Sequence, residues 1–248
     1  MITYCSLNWT RIGRVTGPCI RPGGTALTER ALHVCKLEPD SLVADIGCGA
    51  AGTLEYLEQA GIHHLVGLDC SEELLGEAIS RRAPGRFVKG RAEILPFRKS
   101  SLDAIFCECV LSVTSDRMAV LNGCSQALKE GGFLIISDLF RQENRDDERE
   151  AGSKGFRPEG FLTKESIFAM SKSFGLSVFL WEEYKEFLKE FVARMILSGE
   201  DLPDVWDYRK KQGMEKTGRR EISYFLMIGR KTRSPLSPAD NTGTSYDG

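Results

Sequence analysis

Short apolar segments that alternate with helical patterns set the strongest limit on how this chain can fold. The first segment, residues 41–46, is apolar along its length and runs into a glycine-rich turn. Such segments predict strands buried on both faces of a parallel sheet, and the sequences between them have helical spacing. With right-handed crossovers this order gives an α/β, doubly wound fold with helices on both faces. The next expected strands are residues 65–68, 86–89, 104–107 and 133–137.

The chain beyond residue 140 predicts additions to this sheet. Residues 163–174 have a helical pattern that ends at a glycine, and residues 177–181 and 222–228 are apolar enough for two further strands. The intervening residues 182–220 predict a helical insertion, because their apolar side chains recur at helical spacing from Tyr184 to Ile196.

The same reading divides the chain into three parts. Residues 28–230 form the expected main domain. Its first helix is predicted to begin at residue 28 with Thr28 as the N-cap, and Ser71 is predicted to cap the helix after the second strand. Residues 1–27 are rich in glycine and proline and form a separate N-terminal segment. Residues 231–248 are rich in Ser, Pro, Thr and Asp, a composition typical of a disordered tail.

Composition excludes several classes of function. The 248 residues carry a net charge of −2, which predicts no nucleic-acid partner, and no apolar run is long enough for a membrane span. The first residues lack a signal-peptide pattern, so we expect a cytoplasmic protein whose eight cysteines are thiols. The cysteines and three histidines show no metal-ligand spacing, so no metal is expected. The oligomeric state is left open.

The turn after the first expected strand predicts a cofactor site. Asp45-Ile46-Gly47-Cys48-Gly49 joins that strand to a helix, and glycines there let a ligand approach the backbone closely. Asp69 ends the second strand, where a carboxylate can accept hydrogen bonds from both ribose hydroxyls. Together these features predict an adenosine-containing cofactor.

The identity of that cofactor depends on the charge beside the turn. Residues 47–52 satisfy the G-x-G-x-x-G string of dinucleotide sites, so a dehydrogenase stays open as an alternative. However, Asp45 stands two positions before the first glycine, where it would repel a pyrophosphate and attract an ammonium group. The sequence therefore favours S-adenosylmethionine over NAD or FAD.

Five ordered segments between residues 28 and 140 resemble the motifs of class I S-adenosylmethionine-dependent methyltransferases. The similarity is greatest to the branch that contains ubiquinone- and menaquinone-biosynthesis enzymes and other small-molecule methyltransferases. It implies a Rossmann-like, mostly parallel seven-stranded sheet, and in-line methyl transfer to a small-molecule acceptor. The segments are residues 45–49, Gly67-Leu68-Asp69, residues 90–97, residues 102–106 and Leu128-Lys129-Glu130-Gly131-Gly132.

The resemblance also implies roles for individual residues. Cofactor contacts are expected from the turns that follow the first, second and fourth strands and from the loop after the third strand. Glu108 is the candidate general base, and the N-terminal segment would cover the cofactor, with Arg21 as a candidate contact. The implied cofactor-binding residues are Asp45, Gly47, Gly49, Asp69, Cys70, Ala92, Glu93 and Cys107.

Two departures from the family pattern leave alternatives open. Arg91 replaces a frequent acidic residue, so the adenine amino contact either passes to Glu93 or is lost. Val113 replaces a frequent histidine, which keeps a non-catalytic S-adenosylmethionine-binding protein in view. Cys107 and Cys109 also resemble the thiols of arsenite methyltransferases, and with Cys19 they could bind a metalloid.

Overall fold

The computed structural model describes residues 13, 15–142, 162–198 and 222–232. From residue 26 to residue 141, helices and strands follow one another largely in the alternation that the apolar pattern predicted. The elements are α1 (Ala26–Cys35), β1 (Leu42–Ile46), α2 (Gly52–Gln59), β2 (His64–Asp69), α3 (Glu72–Ser80), β3 (Arg86–Lys89), β4 (Leu102–Glu108), α4 (Arg117–Ala127), β5 (Leu128–Arg141), α5 (Lys164–Ser173), β6 (Leu176–Glu183), α6 (Lys185–Leu197) and β7 (Ile222–Lys231).

The strands form one seven-stranded sheet in the order β3-β2-β1-β4-β5-β7-β6. Strands β1 to β5 pair in parallel, whereas β7 is antiparallel to both β5 and β6. The order in which the strands are added reverses between β1 and β4, and ligands of such sheets bind at the carboxyl ends of the strands beside that point. The predicted mostly parallel seven-stranded fold is therefore confirmed.

Two apolar clusters cover the two faces of the sheet. Along β4, Ile105 and Cys107 belong to one cluster, whereas Ala104 and Phe106 belong to the other. This alternation follows the two-residue period of a strand, and both sets of side chains are completely buried. The prediction that helices cover both faces is confirmed.

One of the two predicted helix caps is correct. Ser71 caps α3 by accepting the Leu74 amide at 3.2 Å. Thr28 was predicted to cap the first helix, but α1 begins at Ala26 with Thr25 as its N-cap. Thr28 is completely buried instead, and its hydroxyl accepts a hydrogen bond from the guanidinium of Arg21.

Some predictions fall beyond the described residues. The described ranges exclude the tail after residue 232, the first twelve residues, and residues 199–220 of the expected insertion. Helix α6 lies within the predicted insertion. No helix in the described ranges is long and apolar enough to cross a membrane.

Candidate active site

A cleft of about 850 Å³, including its solvent-filled mouth, lies at the carboxyl ends of the parallel strands. Its walls come from the turns after β1, β2, β3 and β4 and from one residue of the N-terminal segment. The lining residues are Ile20, Gly47, Gly49, Leu68, Asp69, Cys70, Ser71, Leu74, Gly90, Arg91, Ala92, Glu93, Glu108, Cys109, Val110, Val113 and Thr114.

The glycine turn after β1 gives the cleft a side-chain-free floor. Gly47 and Gly49 have φ values of +74° and +51°, a region that residues with side chains rarely adopt. A Cβ atom at Gly47 would lie 2.5 Å from Val110 Cγ2, so glycine is required there. The Gly47 amide donates to the Leu68 carbonyl at 2.7 Å, which fixes the turn against the end of β2.

The third glycine of the turn, Gly52, leaves space for another segment of the same chain. Residues 18–21, here called the N-terminal strap, cross the first turn of α2 at Gly52. A Cβ atom at Gly52 would lie 2.5 Å from Cys19 Sγ and 2.7 Å from the carbonyl carbon of Pro18. In dinucleotide sites the pyrophosphate lies at the N-terminus of this helix. The strap's position there argues against a dinucleotide.

Asp69 stands at the end of β2, where its carboxylate organises two turns. Its Oδ2 accepts the Gly49 amide and its Oδ1 accepts the Ser71 amide, each at 2.8 Å. Burial raises the pKa of Asp69, and the backbone amides oppose that rise by stabilising the carboxylate. Since each oxygen can accept more than one hydrogen bond, lone pairs remain for ribose hydroxyls.

A cluster of three ionisable side chains lies behind the glycine turn. Arg21 Nη1 is 2.6 Å from Glu108 Oε2, and both side chains are at least 93% buried. Thr53 hydrogen-bonds both partners at 2.6 Å, and Thr28 accepts from Arg21. Burial disfavours the Arg21 charge, but the attraction of Glu108, together with that of Cys19, Tyr224 and Asp45, outweighs burial and raises the pKa of Arg21. The ion pair ties the strap to α1, α2 and the end of β4.

Asp45 is the third member of this cluster and is 2% exposed. Burial and the nearby Glu108 carboxylate raise the pKa of Asp45 well above its ordinary value. Within the described part of the chain, no hydrogen-bond donor reaches this carboxylate. A buried carboxylate without a donor is costly, and an ammonium group in the adjacent cleft would compensate it.

The loop after β3 forms the other end of the cleft. Ala92 and Glu93, two of the predicted cofactor-binding residues, both line it. Glu93 Oε1 accepts from Arg91 at 3.0 Å and from the Thr114 and Ser115 hydroxyls at 2.8 Å each. Burial would raise the pKa of Glu93, but these donors lower it to about 2. Glu93 therefore bridges the two walls of the cleft as a carboxylate.

The two cysteines near the end of β4 point to different places. Cys109 lines the cleft, has a left-handed φ of +56°, and its Sγ lies 3.1 Å from the Tyr224 hydroxyl. Cys107 is completely buried in the apolar core and does not line the cleft. The two thiols pack against different clusters, so the structure does not bring them together as a metalloid site.

Several residues of this site were missed from the sequence. Thr53 and Val110 support Glu108 and the glycine turn, respectively, and neither belongs to a recognisable motif. Ile20 lines the cleft beside Arg21, for which the only signal was its position before the first helix. Among the predicted residues, the structure brings Gly47, Gly49, Asp69, Cys70, Ala92, Glu93 and Glu108 to one cleft, whereas the side chains of Asp45 and Cys107 are buried and do not line it.

Comparisons with known proteins agree with this arrangement. Residues 44–136 match the family described as Methyltransferase domain. The chain is 27% identical over 238 residues to the 18S rRNA (guanine(1575)-N(7))-methyltransferase of Saccharomyces cerevisiae, covering 84% of this chain and 86% of that enzyme. It is 34% identical over 108 residues to the demethylmenaquinone methyltransferase of Thermotoga maritima, covering 43% of this chain and 47% of that enzyme.

A solved structure gives the same fold. Phosphoethanolamine N-methyltransferase 2 of Haemonchus contortus, in complex with phosphomonomethylethanolamine and S-adenosylhomocysteine, superposes with a TM-score of 0.69 at 17% identity. The match covers 91% of this chain and 57% of that one. The sheet order, the glycine turn, the aspartates Asp45 and Asp69 at the ends of β1 and β2, and the family match all indicate the same class of enzyme. This chain is therefore a class I S-adenosylmethionine-dependent methyltransferase, and S-adenosylmethionine is its cofactor.

Proposed function

We propose that this enzyme methylates a small molecule that binds at the β4 end of the cleft. The observation that carries the proposal is the composition of that end, where Ile20, Val110 and Val113 form apolar walls. Apolar walls exclude water and enclose a compact acceptor, whereas a polymer requires an open surface with positive charge. The described lining residues carry one guanidinium, that of Arg91, against the carboxylates of Asp69, Glu93 and Glu108.

The residues around the cleft would hold the cofactor along its whole length. Asp69 would accept the ribose hydroxyls, and the backbone of Ala92 would meet the adenine ring. Gly47 and Gly49 would allow close contact with the methionine part, and Asp45 would compensate its ammonium group. When bound, the cofactor supplies an electrophilic methyl group on a positively charged sulfur.

Alignment of acceptor and methyl group is the main task of the protein in such a transfer. Holding two reactants in line can contribute about 7–11 kcal/mol to lowering a barrier. The strap contributes to this alignment, because Ile20 lines the cleft and the adjacent Arg21 is fixed by Glu108. The general-base role predicted for Glu108 would require this carboxylate to leave its partner. We therefore assign Glu108 first to holding Arg21.

An RNA base is the second candidate acceptor. It is favoured by the similarity to the yeast enzyme, whose name specifies a guanine of 18S rRNA and which aligns over 84% of this chain. The net charge of −2 and the acidic lining of the cleft oppose it.

A transfer assay separates the two candidates. The purified protein is incubated with S-adenosylmethionine carrying a tritiated methyl group and with either the small-molecule fraction or the RNA fraction of a cell extract. We expect label in a low-molecular-weight product. Label that stays with RNA and is released by ribonuclease would reject the small-molecule proposal in favour of the second.

A further inference from the structure

The carboxylate at the β4 end of the cleft, that of Glu108, already forms an ion pair and hydrogen bonds within the protein. Glu108 Oε2 is 2.6 Å from both Arg21 Nη1 and Thr53 Oγ1, and Oε1 is 3.5 Å from Thr28 Oγ1. If Glu108 took a proton from an acceptor, the buried guanidinium would lose its counter-ion. That loss is costly in a low-dielectric site, so Glu108 is a poor proton acceptor.

The thiol beside Glu108 is also unsuited to remove a proton. Cys109 Sγ and the Tyr224 hydroxyl are 3.1 Å apart, and Tyr224 also donates to Ser137 at 3.2 Å. Burial raises the pKa of both Cys109 and Tyr224, so each is protonated near neutral pH. The pair can donate or share hydrogen bonds, but it does not provide a base.

The remaining lining carboxylates serve other contacts, and the Cys70 thiol follows β2, which is two strands away from β4 in the sheet. Asp69 holds two backbone amides at the end of β2, and Glu93 accepts several hydrogen bonds across the cleft mouth. The chain has three histidines, His33, His63 and His64, all within the described residues, and none lines the cleft. In the described part of the site, therefore, no side chain is placed to remove a proton from an acceptor.

We infer that the methyl acceptor is an uncharged nucleophile with a free lone pair, of the kind that a heteroaromatic ring nitrogen carries. The inference rests on the proposed methyl transfer and names its substrate class. An alcohol or an alkylammonium group has to lose a proton before or during attack, and the described residues of the site include no group placed to take it. An anionic acceptor would be repelled, since carboxylates outnumber guanidiniums around the cleft.

The transfer to such a nitrogen needs no proton movement. The nitrogen lone pair forms the new bond to the methyl carbon, the carbon–sulfur bond breaks, and its electron pair stays on sulfur. The positive charge passes from sulfur to the ring, so the product is S-adenosylhomocysteine and a cationic N-methyl ring. Carboxylates outnumber the single guanidinium among the described lining residues, so the cleft favours a cationic product over an anionic one.

Four probe acceptors of similar size test the inference: quinoline, benzyl alcohol, benzylamine and benzoate. Calorimetry first measures binding of S-adenosylmethionine, and lack of binding would refute the proposed function itself. With binding established, each probe is incubated with enzyme and cofactor, and products are identified by mass spectrometry. A second readout, the thermal shift of the S-adenosylhomocysteine complex, measures probe binding without turnover.

We expect N-methylquinolinium to form about 100-fold faster than any other methylated probe. A positioned general base typically contributes at least this factor, and quinoline is the probe that does not need one. Quinoline should also stabilise the complex more than benzoate does. Equal or faster methylation of benzyl alcohol or benzylamine would overturn the inference. So would an enzyme that binds the cofactor but leaves quinoline unmethylated.

Discussion

Replacing Glu108 with glutamine tests the ion pair that fixes the strap. Glu108→Gln keeps the side-chain volume and removes the charge that neutralises Arg21, whose guanidinium is 93% buried. Breaking a buried ion pair by removing one partner costs about 3–5 kcal/mol. Asp45 lies close enough to interact with Arg21 and can take over part of the charge compensation. We therefore expect a loss near the lower limit, about 3 kcal/mol.

Urea denaturation followed by tryptophan fluorescence provides the measurement. Trp181 is a suitable reporter because its ring stacks on Phe225 at a centroid distance of 4.3 Å. Glu186→Gln is the matched control, since it removes a carboxylate from an exposed ion pair with Lys189 and should cost less than about 1 kcal/mol.

A double variant makes the test sharper. Arg21→Met with Glu108→Leu removes both charges together, and replacing a buried ion pair by apolar residues is often neutral. It should recover most of the stability lost in Glu108→Gln. The reasoning is refuted if the free energy of unfolding of Glu108→Gln lies within about 1 kcal/mol of that of the unmodified protein, because a loss this small is typical of an exposed ion pair.

Three further predictions concern the glycine turn and the two ends of the cleft. Gly52→Ala should destabilise the protein and expose the strap to limited proteolysis, because its Cβ would clash with Cys19; Gly76→Ala, in open space on α3, is the neutral control. Asp69→Asn should raise the calorimetric Kd for S-adenosylmethionine about 10–100-fold, the value of hydrogen bonds to a charged group. Glu93 has its pKa lowered to about 2 from an ordinary value of 4.5, so it stabilises the fold above pH 4.5 and this contribution is lost as the pH falls towards 2. Glu93→Gln should consequently be less stable than the unmodified protein near neutral pH, and urea titrations at falling pH should show the difference shrinking.

Most of the sheet could be predicted from sequence because its strands are short, apolar and bounded by glycine or acidic residues. The expected strand at residues 86–89 agrees with β3, and the others differ by a few residues at their ends. The N-cap at Ser71 was predictable for a local reason, since a cap needs only its own helix. Thr28 was mispredicted because its hydroxyl serves Arg21, seven residues earlier, rather than the helix end.

The polar lining of the site was less predictable, because its members meet only in the folded chain. Thr53 and Glu108 are 55 residues apart, and no local pattern links them. The different positions of Cys107 and Cys109 follow from the left-handed backbone at Cys109, which ends the alternation of β4. A motif that contains both cysteines therefore cannot show which thiol reaches the cleft.

The strap explains why a sequence string shared with dinucleotide sites does not have their function here. The string requires glycine at its third position, but it does not state what approaches that glycine. At Gly52 the approaching atoms belong to Pro18 and Cys19, and they occupy the helix terminus that would otherwise attract a phosphate. Three residues further along the strap, Arg21 is neutralised by Glu108 beside Asp45. The glycine that suggested a pyrophosphate thus admits the segment that brings Ile20 to the cleft and Arg21 to Glu108.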